Sequence, residues 1–138
     1  MLIFDTSFLV SFHNEDDSNH PSARDGMQAF LAGEWGPGLL LEYVAVETMT
    51  VMAARRGLGA AVRVGRQLVA SNELEFVPCA DLFADTFERF SAQKRFRLSF
   101  TDCAILVAAE RRGATRVATF DADFRREKAV RVVPGRRR

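Results

Sequence analysis

The sequence predicts an α/β protein, a single domain on a five-stranded, mainly parallel sheet with helices on both faces. Two observations carry this. Short apolar runs alternate with longer segments of helical spacing, which implies right-handed crossovers and a parallel sheet buried on both sides. The chain is also 138 residues long and 48% hydrophobic, about the size of one soluble domain, with no Pro/Gly/Ser linker to divide it. The domain is expected over residues 1–134, followed by a basic tail over 135–138 that ends in Arg136-Arg137-Arg138.

Each element follows from local chemistry. Leu2 to Phe4 is an apolar run stopped by Asp5, a buried strand, and Thr6-Ser7 then lead into a short helix through Phe8 to Phe12. Glu15 to Pro21 is a polar, solvated loop. Pro21 and Ser22 open a helix running to about Ala32, because proline at the first helical position forfeits no hydrogen bond. Gly36-Pro37-Gly38 interrupts the chain, and Leu39-Leu40-Leu41 is the second strand. Helical spacing returns from Tyr43 to Arg56, where Gly57 stops it after a basic last turn. A further helix covers Gly59 to Ser71, and the third strand lies within Glu75 to Pro78. Asp81 to Arg95 sets Phe83, Phe87 and Phe90 on one apolar helix face. Ser99 to Asp102 is the polar start of a helix that ends near Arg112, with Gly113 as its stop. Arg116 to Phe120 is the fourth strand, ended by Asp121, and Val130 to Val133 is the fifth.

Composition excludes several classes. Cys79 and Cys103 form no C-x-x-C motif and have apolar neighbours, so neither a disulfide scaffold nor a zinc cluster is expected, and a reducing cytoplasm fits. No basic residue precedes Arg24, which argues against a secretory signal. The apolar run from Ala104 to Ala109 is far short of the roughly 18 residues needed to span a bilayer, so no membrane association is expected. A net charge of +1 conceals an asymmetry: residues 1–50 carry eight acids and one base, whereas residues 51–138 carry ten acids and 18 bases. Seventeen of the nineteen basic residues are arginine. This division suits a carboxylate site on a chain that binds polyanions, and equally a solvated surface that favours arginine.

The acids fall at informative places. Asp5 directly follows the first strand, Asp121 the fourth, and Asp123 comes two residues later. Asp102 lies in the first turn of a helix, behind a Ser99 or Thr101 cap, and Glu47 lies among apolar helical neighbours, pointing towards protein. Taken singly, each has a plain structural role as a turn residue, a helix cap or an ion-pair partner. Taken together, three of the four elements should meet at the carboxyl edge of the sheet, where ligands collect in such folds. Carboxylates crowded together resist joint ionisation unless a cation sits among them. Oxygen donors without Cys or His favour Mg²⁺ or Mn²⁺ over zinc, and such ions acidify water and neutralise charge on a phosphodiester. Asp5, Asp102 and Asp121 are the expected direct ligands, with Glu47 either a ligand or a group that positions water.

Four segments carry a resemblance. Phe4-Asp5-Thr6-Ser7-Phe8-Leu9, Tyr43-Val44-Ala45-Val46-Glu47-Thr48, Ser99-Phe100-Thr101-Asp102-Cys103-Ala104 and Thr119-Phe120-Asp121-Ala122-Asp123-Phe124 resemble the successive motifs of the PIN-domain family. They stand in the family's order across nearly the whole chain, and the nearest group is the VapC-type toxins of bacterial toxin–antitoxin pairs. The resemblance implies a Mg²⁺-dependent endoribonuclease with an acidic set at Asp5, Glu47, Asp102 and Asp121, and hydroxyls at Ser7 and Thr119. It also implies a cognate antitoxin, an RNA substrate and a homodimer. Two positions stay open: Glu42 is a second acid on the helix of Glu47, and Asp123 shares the loop of Asp121.

Other features admit two readings. Arg55-Arg56, Arg111-Arg112 and Arg125-Arg126 either complement helix ends or contact phosphates along an RNA groove. Most of the twelve Phe belong to the core, leaving Trp35 and Tyr43 as surface or interface candidates. A phosphoacceptor domain would want paired acids after the first strand and a lysine after the last, and a haloacid-dehalogenase-type phosphatase would want D-x-D where this chain has Asp5-Thr6-Ser7. The remaining alternative is a non-catalytic RNA- or protein-binding module on the same scaffold.

Overall fold

Leu2–Phe4 forms β1, and all three side chains are buried completely. Successive strand residues face opposite sides, so such burial requires cover on both faces of the sheet. The computed structural model describes residues 1–135; Arg136, Arg137 and Arg138, most of the expected tail, lie outside the described residues. After β1 come α1 (Thr6–His13), α2 (His20–Leu31), β2 (Gly38–Leu41), α3 (Glu42–Arg56) and α4 (Leu58–Ala70). Then come β3 (Leu74–Val77), α5 (Phe83–Ser91), α6 (Phe100–Arg112), β4 (Arg116–Ala118) and β5 (Arg131–Val133), with short 3₁₀ turns at Ala80–Leu82 and Ala122–Arg126.

The strand order is β3-β2-β1-β4-β5, and every pairing among the described residues is parallel. The chain builds outward from β1 through β2 to β3, then returns to place β4 on the other side of β1. That reversal opens a crevice at the carboxyl ends of β1 and β4. In α6, every residue from Asp102 to Ala109 is buried, so the apolar run of the sequence is a core helix surrounded by protein. Gly113 ends it at φ 67°, a left-handed conformation that glycine reaches without a Cβ clash, and its N–H bonds to Ala109 O.

Three expectations are corrected. Trp35 is not at the surface; it is buried edge-on against Phe8, with ring centroids 6.3 Å apart. The close approach depends on Gly26, where an added Cβ would come within 2.8 Å of the indole. Secondly, α5 stops at Ser91, not Arg95. The Gln93 side chain takes over the backbone there, donating to Phe90 O and Leu98 O and accepting from Leu98 N. Thirdly, the aromatic face of α5 is largely outside the core: Phe83 is 54% and Phe87 55% exposed. Cys79 and Cys103 are free and buried. No helix among the described residues is long and apolar enough to cross a membrane.

Candidate active site

The crevice at the strand reversal is a cleft of about 520 Å³ lined by Asp5, Glu47, Asp102 and Asp121, with Ser7 and Ser99 beside them. The four acids singled out in the sequence therefore face one space. They come from the end of β1, α3, α6 and the loop after β4, positions far apart in the sequence.

Asp5 is held most tightly. Its N–H bonds to Ala118 O, carrying the β1–β4 ladder one residue further. Its Oδ2 accepts from Ser7 Oγ at 2.9 Å and from Thr119 Oγ1 at 2.7 Å. Those two hydroxyls in turn accept from the backbone N–H groups of Phe120 (3.0 Å) and Asp121 (2.9 Å). A hydroxyl has one proton, so accepting from the backbone leaves that proton for the carboxylate. Ser7 and Thr119 thus orient Asp5 and tie it to the strand that carries Asp121. Burial pushes the Asp5 carboxyl above its ordinary value, against the lowering hydrogen bonds from Thr119 and Ser7, and the charge of Asp121 adds to the rise.

Asp102 is the third residue of α6 and closes a capping box. Its N–H donates to Ser99 Oγ at 3.0 Å, and its Oδ2 accepts from Ser99 N at 2.9 Å. Of the two candidate caps, the helix uses Ser99. The structural role and the site role coincide, because the capping bonds fix the rotamer that presents Asp102 to the cleft. Only 9% exposed, Asp102 has its pKa pushed up to about 6. Burial is the main cause, the negative charges of Asp5 and Asp121 add to it, and the Ser99 hydrogen bonds oppose it.

The open positions separate geometrically. Asp121 lines the cleft, its Oδ1 accepting from Asp123 N at 2.9 Å, while Asp123 is absent from the lining and offers its carbonyl to Arg97. Glu42 turns away and accepts from Cys79 N at 3.0 Å, securing the end of β3. Glu47 reaches the cleft from its rim and is exposed, not directed into protein as its apolar neighbours suggest. The helix face that bears it lines an opening, so apolar neighbours do not mean burial here.

Asp17 is a cleft residue that sequence reasoning misses. It belongs to the polar loop before α2, yet it lines the cleft half-buried, accepting from Ser11 Oγ (3.1 Å) and Asn19 N (2.8 Å) with Arg55 3.9 Å away. The Asp17-Ser18-Asn19 spacing, an Asx turn, is the one local signal.

No group of three or more His, Cys, Asp or Glu side chains among the described residues is arranged to hold a metal ion. The acids share a cleft without converging on one point. The donor chemistry nonetheless fits a hard divalent ion: carboxylate oxygens only, two of the acids buried and resisting ionisation, none with a cationic partner among the described residues.

The PIN domain family model matches residues 2–129 of the chain. The chain is a PIN domain. The crystal structure of Mycobacterium tuberculosis VapC20, a sarcin-ricin loop cleaving toxin, is similar to this PIN domain with a TM-score of 0.82 at 22% identity, covering 93% of this chain and 95% of that one. The Rickettsia felis VapBC2 structure, bound to a DNA fragment from its promoter, matches with a TM-score of 0.66 at 14% identity over 95% and 96% of the two chains. No curated protein sequence matches this PIN domain.

Proposed function

We propose that this PIN domain is a divalent-metal-dependent endoribonuclease of the VapC type, hydrolysing RNA phosphodiester bonds in the cleft of Asp5, Glu47, Asp102 and Asp121. One observation carries the reading. Asp5 and Asp102 are buried, both carboxyls are pushed above their ordinary range, and neither has an ion pair among the described residues, whereas Asp17 at the rim of the same cleft pairs with Arg55. A folded chain this rich in arginine leaves buried carboxylates uncompensated only at the cost of unfavourable charge, a pattern found where a cation is to bind.

Asp5, Asp102 and Asp121 would hold the ion, with Asp123 behind Asp121. Bound there, Mg²⁺ or Mn²⁺ supplies charge neutralisation and an acidified water. The chain supplies the rest. Ser7 and Thr119 hold the Asp5 carboxylate in one orientation, Ser99 does so for Asp102, and Glu47 at the open rim is placed to orient the attacking water. The likeness in fold to VapC20 and VapBC2 supports a toxin role with a small cognate antitoxin; we further propose that the antitoxin covers the cleft and that the protein is a cytoplasmic homodimer. A basic antitoxin side chain among the acids would neutralise them as an ion would. A second reading is RNA or protein binding at the same cleft without catalysis, since no three of its acids are grouped closely enough to share one ion.

One experiment separates the two. Total bacterial RNA is incubated with wild type or Asp102→Asn, in Mg²⁺ or Mn²⁺ against EDTA, and new RNA ends are mapped. Discrete ends that require both metal and Asp102 are expected. Cleavage surviving either EDTA or the substitution overturns the proposed site, and no cleavage under any condition favours the binding reading.

A further inference from the structure

The segment between α5 and α6 carries Lys94-Arg95-Phe96-Arg97 and then Ser99, the cap that positions Asp102. Phe96 is 77% exposed, more than any other large hydrophobic residue among the described ones. Burial does not explain it. The ring touches the edge of Phe90, 6.4 Å between centroids, and leaves its other side open. The loop nevertheless has a defined conformation, since Gln93 bonds both backbone groups of Leu98.

Charge gathers at the same place. Six arginines of the chain are held in ion pairs, Arg97 among them. Lys94 and Arg95, both exposed and next to Phe96 in the chain, form none among the described residues. Arg97 ties the loop to the segment after Asp121, donating to Asp123 O at 3.0 Å and to the Glu127 carboxylate. That second segment exposes Arg125, Arg126 and Lys128, also without ion pairs among the described residues. Two segments pinned together, one leading to Asp102 and one leaving Asp121, thus combine free cations with a bare aromatic ring.

We propose that this surface binds the substrate strand beside the cleft: Phe96 stacks on an unpaired RNA base while Lys94 and Arg95 contact its phosphates. The inference rests on the nuclease reading and names how that site takes its substrate. Every base has a π-face, so an exposed ring amid free cations suits single-stranded nucleic acid in particular. Ser99, which lines the cleft, is three positions beyond Phe96 in the sequence, a backbone reach of at most about 10 Å, short enough for one strand to run from the ring into the cleft. A protein partner would cover the ring equally well but would leave the surrounding cations unmatched unless it were strongly acidic.

The test measures binding apart from cleavage. Asp102→Asn protein is titrated with short single-stranded RNAs, each carrying one 2-aminopurine moved along the strand, whose fluorescence is quenched on stacking. Phe96→Leu is expected to weaken binding about tenfold and abolish the quenching at one position, with Phe96→Trp restoring both. Lys94→Gln with Arg95→Gln should flatten the dependence of log affinity on log salt by about 1.4, near 0.7 per lost phosphate contact. Unchanged affinity, quenching and salt slope in these variants overturn the proposal, as does absence of RNA binding. Loss of a homodimer in Phe96→Leu with RNA binding intact also overturns it, assigning the ring to a protein contact. Cleavage by the wild type, run in parallel, keeps the two readings apart: cutting without a Phe96 effect removes only this inference, and stacking without cutting removes only the nuclease.

Discussion

The two ends of α6 solve opposite electrostatic problems. At its C-terminal end, Arg112 meets Glu75 at 2.7 Å and Arg111 meets Asp85, exposed pairs that also favour the helix dipole. At its N-terminal end, Asp102 is buried, its pKa raised further by the charges of Asp5 and Asp121, and it forms no ion pair among the described residues, although Arg55 lines the same cleft. The capping bonds to Ser99 and the helix terminus lower the cost of that charge without removing it. One end of the helix is satisfied by the folded chain alone. The other end is left with unfavourable charge, which marks it as a place for something outside the chain.

Breaking the N-terminal end should have the largest effect. Asp5→Asn or Asp102→Asn removes a charge and little volume, and each is expected to reduce metal-dependent RNA cleavage by at least about 1,000-fold, roughly 4 kcal/mol of barrier, with the circular dichroism spectrum unchanged. An unfolded variant, or one cutting at the wild-type rate, would contradict the assignment.

The same substitution should stabilise the metal-free fold. The Asp102 pKa is raised from 3.8 to about 6, so between those values the folded state binds more protons than the unfolded chain. Its contribution is present at low pH and lost as pH rises through about 6. In EDTA at pH 7, Asp102→Asn should therefore exceed wild type by about 2 kcal/mol in urea unfolding, the difference vanishing towards pH 4. His13 contributes with the opposite sign. Burial lowers its pKa from 6.5 to about 4, so its contribution is present above pH 6.5 and lost as pH falls through about 4. The two partly cancel in the wild type, and the variant should show a steeper rise in stability with pH.

Adding a divalent cation tests the same contrast from the other side. Millimolar Mg²⁺ or Mn²⁺ should raise the Tm of the wild type at pH 7 and leave that of Asp102→Asn almost unmoved, a gain of about 1–2 kcal/mol by linkage. Equal shifts in both proteins would place the ion elsewhere. The smallest effect belongs to the far end of α6: Glu75→Gln should lower stability by less than about 1 kcal/mol, the ordinary worth of an exposed pair. A larger loss would mean that the surface pairs are not the minor contributors their exposure suggests.

Much of the fold is legible because its signals are local. The apolar run Leu2–Phe4, the proline at the start of α2, the polar start of α6 at Ser99–Asp102 and the stop at Gly113 each depend on a few adjacent residues. The candidate acids are legible for a related reason, since parallel strands bring the residues just past their carboxyl ends to one edge. Less legible are features decided by distant partners. Trp35 is buried because Gly26, on another element, leaves it space. Phe83 and Phe87 have the spacing of a core face, yet remain half exposed on the folded chain. Asp17 belongs to a polar loop, and only its meeting with Ser11 and Arg55 shows it as part of the cleft.

The alternation of strands and helices, most of the places where they end and the acids close beyond the ends of β1 and β4 are written in the primary structure; the end of α5 at Ser91 is not. Periodicity, caps and stops act over a few residues, so no distant partner is needed to read them. Folding was needed to settle that Asp121 and not Asp123 faces the cleft, that Glu47 stands at an exposed rim, and which cations are paired and which are free. Those outcomes depend on which side chains meet across long stretches of chain. The Coulomb and desolvation energies involved are set by distance and burial, quantities that exist only once the chain has folded.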